Sequence, residues 1–326
     1  MRKIILLLLT LYLAQPAFTQ SYLPYYQLVN RAELLTFKGQ YKKADKLYQQ
    51  AFKMVETPQG WNLREAARNA AKMKDTSLAQ HYYQQAATLG FDLDDLLQKE
   101  DSLALGRRIT EIKPHKYSSP LCATVDSLCR QDQLYRKKDY DSNRNKQAAI
   151  DSTNIVRILE IRKVLGKIPG IKELGYSRTD HFTTIFCHTQ ASQLFDSLAN
   201  ILLKQVIQGD FKPNMITRAI DKIALGDADR PYAFTRIIFG STKSYSRKDS
   251  LYYIHPVRNY PCLNKLRQSI GLPTLEQQLL LSEDKTVYDE ELVRRSYPKM
   301  FMETPPRRPF VDCEGKWMEL SPSRSR

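Results

Sequence analysis

Gly39-Gln40-Tyr41-Lys42-Lys43-Ala44-Asp45-Lys46-Leu47-Tyr48-Gln49-Gln50-Ala51 is the stretch that decides the fold. Its last four residues recur as Tyr83-Gln84-Gln85-Ala86, an offset of 35, and the same offset carries Ala32 to Ala67 and Ala44 to Ala79. Self-similarity at such a period marks a stacked helical unit. Alanine lets two helix backbones approach at a crossing, and tyrosine fills the gap beside it. The spacing predicts two helical hairpins over 24–110, closed by a further helix running from Leu89-Gly90-Phe91 through Leu96-Leu97 to Leu103. The second unit departs from the first in placing Lys74-Asp75 where a turn glycine belongs.

The pattern Gly39-x-Tyr41-x-x-Ala44-x-x-x-Tyr48-x-x-Ala51 resembles the tetratricopeptide repeat family. That resemblance implies a concave face, formed by the first helix of each hairpin, that holds a protein or peptide partner. Two repeats are few, because each buries its apolar face on a neighbour, so they are expected to lean on the domain that follows.

Upstream, Met1-Arg2-Lys3 and the aliphatic run Ile4 to Ala14 precede Gln15-Pro16-Ala17-Phe18-Thr19-Gln20. A basic start, a short apolar run and small residues read as a secretory signal peptide over 1–19, cut near Thr19–Gln20. The run is too short for a membrane span, so no transmembrane segment is expected. The chain is then periplasmic or secreted.

The whole chain has 326 residues with a formal net charge of +15. Successive thirds carry +4, +5 and +6, so no block is basic enough to act as a nucleic-acid footprint. Export argues the same way, and the surplus reads as a solvated surface with affinity at most for an anionic envelope. Glycine is scarce at 12, and no phosphate-cradling loop is present, so no nucleotide cofactor is expected. There are five cysteines, so one at least is unpaired, and Cys313 is placed to pair with Cys262 or between molecules. Neither CxxC nor HExxH occurs, and no metal is expected.

Lys113 to Pro120 reads as a linker, 111–119, after which helical patterns run over about 120–138, 141–166, 179–208, 213–225 and 261–270. Arg236–Phe239 and Leu251–Ile254 read as the two strands of one small β-hairpin. The fold class is mainly α: helical repeats, an irregular helical domain over 120–280 and an irregular tail over 281–326.

Polar side chains on the apolar stripes are the candidate site. Val125, Leu128 and Cys129 bring Asp132 and Arg136 inward, with Gln133 beside them; Ala148, Ile155 and Leu159 bring Asp151, and Asn154 joins the Ile150–Ile158 line. His188 follows Ile185, and Asp221 lies beside Ile216, Ile220 and Ile223. Buried polar groups are costly unless paired, so these should meet one another or line a wet cleft. In order, Asp132-Gln133-x-x-Arg136, Asp151-x-x-Asn154, Gly166-x-x-Pro169, Leu174-Gly175, the His188 helix, Asp221-Lys222, Phe239-Gly-Ser-Thr242 and Asn264-x-x-Arg267-x-x-x-Gly271-Leu272 resemble the bacterial domain of unknown function 6624. The resemblance implies a domain boundary and no activity.

Two functions follow. The first is a non-catalytic envelope protein that grips a partner through its repeats and a polar pocket. The second is an exported hydrolase with His188 as general base, Asp132 or Asp151 orienting it, and Arg136 or Lys222 stabilising developing negative charge.

Overall fold

The computed structural model describes residues 21–92, 112–113, 115–136, 140–188, 193–225, 239–246, 250–254, 257, 260–282 and 286–288. The segment read as a signal peptide, the expected closing helix beyond Asp92, Cys313 and nearly all of the tail lie outside the described residues.

Helices α1 (Leu23–Phe37) and α2 (Tyr41–Lys53) form the first hairpin, and α3 (Gly60–Lys72) and α4 (Thr76–Thr88) the second. The sequence repeat is a packing repeat. Ala32 and Ala67, Ala44 and Ala79, Tyr48 and Tyr83, and Ala51 and Ala86 are all fully buried in one core. The turns repeat as well: Gly39 sits at φ 71° and Lys74, 35 residues on, at φ 64°. A left-handed lysine costs about 1 kcal/mol or more, and Asp75 compensates locally by capping α4 through the Leu78 amide.

The hairpins lean on the rest of the chain, as two repeats should. Tyr22 donates its amide to the Ile207 carbonyl, Tyr26 its hydroxyl to Val206, and Gln59 its amide to Gly209. A side chain at Gly209 or Gly271 would collide with the rings of Tyr22 and Tyr26, so glycine at both is what lets the first helix press in. The expected linker is a strap held on both sides. His115 donates to the Ala87 carbonyl and Arg178 to the Tyr117 carbonyl.

The second part contains α5 (Pro120–Asp132), α6 (Tyr140–Leu165), the single turn α7 (Ile171–Leu174), α8 (Tyr176–His188), α9 (Gln193–Ile207), α10 (Pro213–Leu225), α11 (Tyr260–Ser269) and α12 (Leu275–Leu281). Val125, Leu128, Ile158, Phe182, Phe186, Leu202, Val206, Phe211 and Ile216 lie in its core. The protein is mainly α. Among the described residues, no helix is long and apolar enough to cross a membrane.

Three expectations are corrected. The helix expected to reach residue 138 stops at Asp132, because side chains take the carbonyl that would continue it: Arg136 Nε at 2.8 Å and Gln147 Nε2 at 2.9 Å. The helix expected to begin at 179 starts earlier, at Tyr176 just after Gly175 at φ 77°; it is described as α8 and α9, with residues 189–192 between them outside the described set. In the sheet, Leu251–Ile254 (β2) pairs antiparallel with Lys243–Ser246 (β1), not with the segment ending at Phe239. Phe239 is instead buried in a turn, and residues 226–238 are outside the described set. A third strand, Thr286–Val287 (β3), runs parallel to β2. Cys262 is disulfide-bonded, whereas Cys122, Cys129 and Cys187 are free thiols.

Candidate functional site

Five of the inward polar residues meet around the end of α5. Asp132, 2% exposed at its side chain, presents both carboxylate oxygens to His188 Nδ1, at 3.0 and 2.9 Å. Gln133 Nε2 donates to Asp132 Oδ2 at 2.6 Å. Arg136 reaches Asp132 Oδ1 at 3.5 Å and pairs with Asp151 at 2.5 Å. A carboxylate on Nδ1 holds imidazole in the tautomer that leaves Nε2 as acceptor, the orientation a general base requires.

Gln147 completes this network without having been singled out in the sequence. Its amide nitrogen donates to the Asp132 carbonyl and to Asp151 Oδ1, and its oxygen accepts from the Tyr135 amide. The signal was present in the spacing, since Gln147, Asp151 and Asn154 form one stripe at steps of four and three on α6. Asn154 is fully buried one turn beyond Asp151, and among the described residues neither atom of its amide has a hydrogen-bond partner. Burial alone would raise the Asp132 carboxyl, but the hydrogen bond and charge of His188, then Arg136 and Gln133, hold it below the usual carboxylate value.

Asp221 is directed at a turn. Its carboxylate accepts from the Phe239 amide at 3.1 Å and the Ser241 amide at 2.7 Å, clamping the turn that leads into β1. Arg267 grips the same turn from the other side through the Phe239 carbonyl, and it also donates to Pro273 O. Arg267 is fully buried, and desolvation lowers its value to about 10 even though Asp221 and Glu276 oppose the shift. Among the described residues, no group of three or more His, Cys, Asp or Glu side chains could hold a metal ion.

A second candidate lies between the hairpins and the helical part. It is a cleft of about 1120 Å³, walled on one side by α1 and α3, the first helix of each hairpin, and on the other by α10, the Gly271 turn and α12. Arg64, Arg68 and Lys72 line it from α3, Arg218 and Lys222 from α10, and Lys212 and Lys243 from the segments beside them. Only Glu33 and Glu65 among its lining residues are acidic. Basic residues spread evenly along the chain therefore collect in space. The detectable signal was a step of four, 64–68–72 on one helix and 218–222 on another.

At the floor of this cleft, Lys212 Nζ lies 3.8 Å from the centroid of the Trp61 ring, with Arg64 at 5.0 Å from the same ring. Glu33 accepts from the Asn62 amide, whose oxygen in turn accepts from the Tyr25 hydroxyl at 2.9 Å. Burial, then the adjacent Glu65 carboxyl, pushes Glu33 up to about 8 against the pull of Lys212 and Asn62. Burial lowers Lys212, opposed by Asp180, Glu33 and Glu65. Compared with known proteins, the chain matches no protein-family model, no curated protein and no solved structure.

Proposed function

We propose that this is an exported bacterial binding protein without catalytic activity, and that a protein or peptide partner lies in the cleft between the hairpins and the helical part. The observation that carries the reading is the cleft itself: α1 and α3 line it, the helices that the tetratricopeptide resemblance assigns to partner contact. At about 1120 Å³ it exceeds what a single small molecule fills. Export is supported by the basic and aliphatic first nineteen residues and by the Cys262 disulfide, which persists in an oxidising compartment. The test is a photo-crosslinking residue placed at Phe37 or Asn214, on opposite walls, in living bacteria. The same adduct is expected from both positions and none from Lys46 on the outer face of α2; silence at both walls with adducts only at Lys46 would sink the reading.

A second reading, a hydrolase with His188 as general base, is favoured by the carboxylate of Asp132 on His188 Nδ1. Its measure is hydrolysis of p-nitrophenyl esters by the full chain. Turnover that disappears in a His188→Ala variant melting like the parent supports catalysis. A variant that loses several degrees in melting temperature, from a parent with no turnover, leaves His188 a structural residue.

A further inference from the structure

We propose that the cleft takes an acidic polypeptide segment bearing apolar side chains between its carboxylates, an inference that rests on the binding reading above. The walls carry cations on both sides, the α3 stripe facing the repeats' concavity and the Arg218–Lys222 step on α10. Of the two acidic lining residues, Glu65 is answered by Arg68 at 3.2 Å. Glu33, with its value near 8, is mostly neutral at pH 7. The surplus is therefore positive across the whole width, and a ligand of opposite sign is drawn in and held in register by it.

The apolar lining distinguishes a peptide from other polyanions. Phe37, Met215 and Leu281 lie among the cations, and Phe37 is 56% exposed. An acidic polysaccharide brings carboxylates but no aliphatic or aromatic groups to cover such surface. Sugar rings stack on bare indole, whereas the Trp61 ring already carries Lys212 and Arg64. Nor does the chain's own tail fit by charge. Residues 289–326 carry eight basic and seven acidic groups, which gives no complementarity to a basic groove.

The experiment is fluorescence anisotropy on the full chain with a labelled peptide alternating Glu with Leu and Phe. Its twin has Gln in place of every Glu, and polygalacturonate serves as competitor. The acidic peptide is expected to bind at least about tenfold tighter than its twin, and to weaken as salt rises. It should lose at least about tenfold on Arg218→Glu with Lys222→Glu, both solvent-exposed positions. Lys42→Glu with Lys46→Glu, the same charge change outside the cleft, should leave it unaltered. Melting temperatures confirm that each variant is folded. If the twin binds equally and Met215→Trp, which narrows the cleft at α10, still weakens both peptides, the acidic class is overturned while the cleft stands as the binding site. If Met215→Trp affects neither peptide, the binding reading itself fails. Displacement by polygalacturonate as effective as by unlabelled peptide overturns the polypeptide class.

Discussion

The network at the end of α5 and the cleft beneath the hairpins gather charge for opposite ends. In the network, Asp132, Arg136, Asp151 and His188 are 2–15% exposed at their side chains and pair with one another. In the cleft, cations outnumber carboxyls seven to two and face a large open volume. The contrast separates two reasons for a polar cluster. Charges that answer each other hold a fold together, because each would be costly alone, and a surplus of one sign around an open volume favours a ligand of the opposite sign.

The largest effect that could break this contrast is expected from Asp132→Ala. It leaves His188 without its carboxylate and removes one of the two acidic partners of Arg136. Breaking a buried ion pair from one side costs about 3 kcal/mol or more. Urea denaturation of the variant should show that loss, with peptide binding in the cleft unchanged. A cost below about 0.5 kcal/mol, the level of ordinary surface substitutions, would mean that the network is not structural. It would then belong with the cleft as a functional site.

The same contrast explains what could be read along the chain. The repeat was legible because packing repeats as sequence: alanine at each crossing and tyrosine beside it recur with the hairpin. The inward polar residues were legible because a helix face has a period, and Asp132, Arg136, Asp151 and His188 do meet. Asp221 was placed with them because burial says nothing about direction. It faces a turn whose amides it satisfies, and only the tertiary fold brings Phe239 and Ser241 to it. Gln147 carries no charge to mark it, yet it joins α6 to the end of α5 through two hydrogen bonds and braces Asp151 on its own helix through a third. The cleft was hidden most completely. Its cations come from 64–72 and from 212–243, and nothing in a local window shows that these stretches oppose each other. The strand paired with Leu251–Ile254 was misplaced for a similar reason: Lys243-Ser-Tyr-Ser lacks the aliphatic run that marks a buried strand.

Acid and base should sharpen the contrast with opposite signs. Asp132 is held below its ordinary value in the folded chain. Its contribution is fully present above the usual carboxylate range and is lost as pH falls through it. Glu33 is raised from 4.5 to about 8. Its protonated form favours the folded state fully below 4.5, and that contribution is lost as pH rises through about 8. Asp132→Asn should therefore flatten the acid limb of a stability–pH curve, and Glu33→Gln should flatten the alkaline limb, leaving that variant more stable than the parent above pH 8. Chemical denaturation across the pH range reads both. The two limbs should be independent, because the groups lie in different regions and share no partner. If Glu33→Gln altered the acid limb, or Asp132→Asn the alkaline one, the network and the cleft would be one coupled electrostatic unit rather than a fold-holding cluster and a ligand-facing one. If both limbs respond separately, loss of peptide binding above pH 8 traces to ionised Glu33 at the cleft floor, where a new negative charge opposes an acidic ligand.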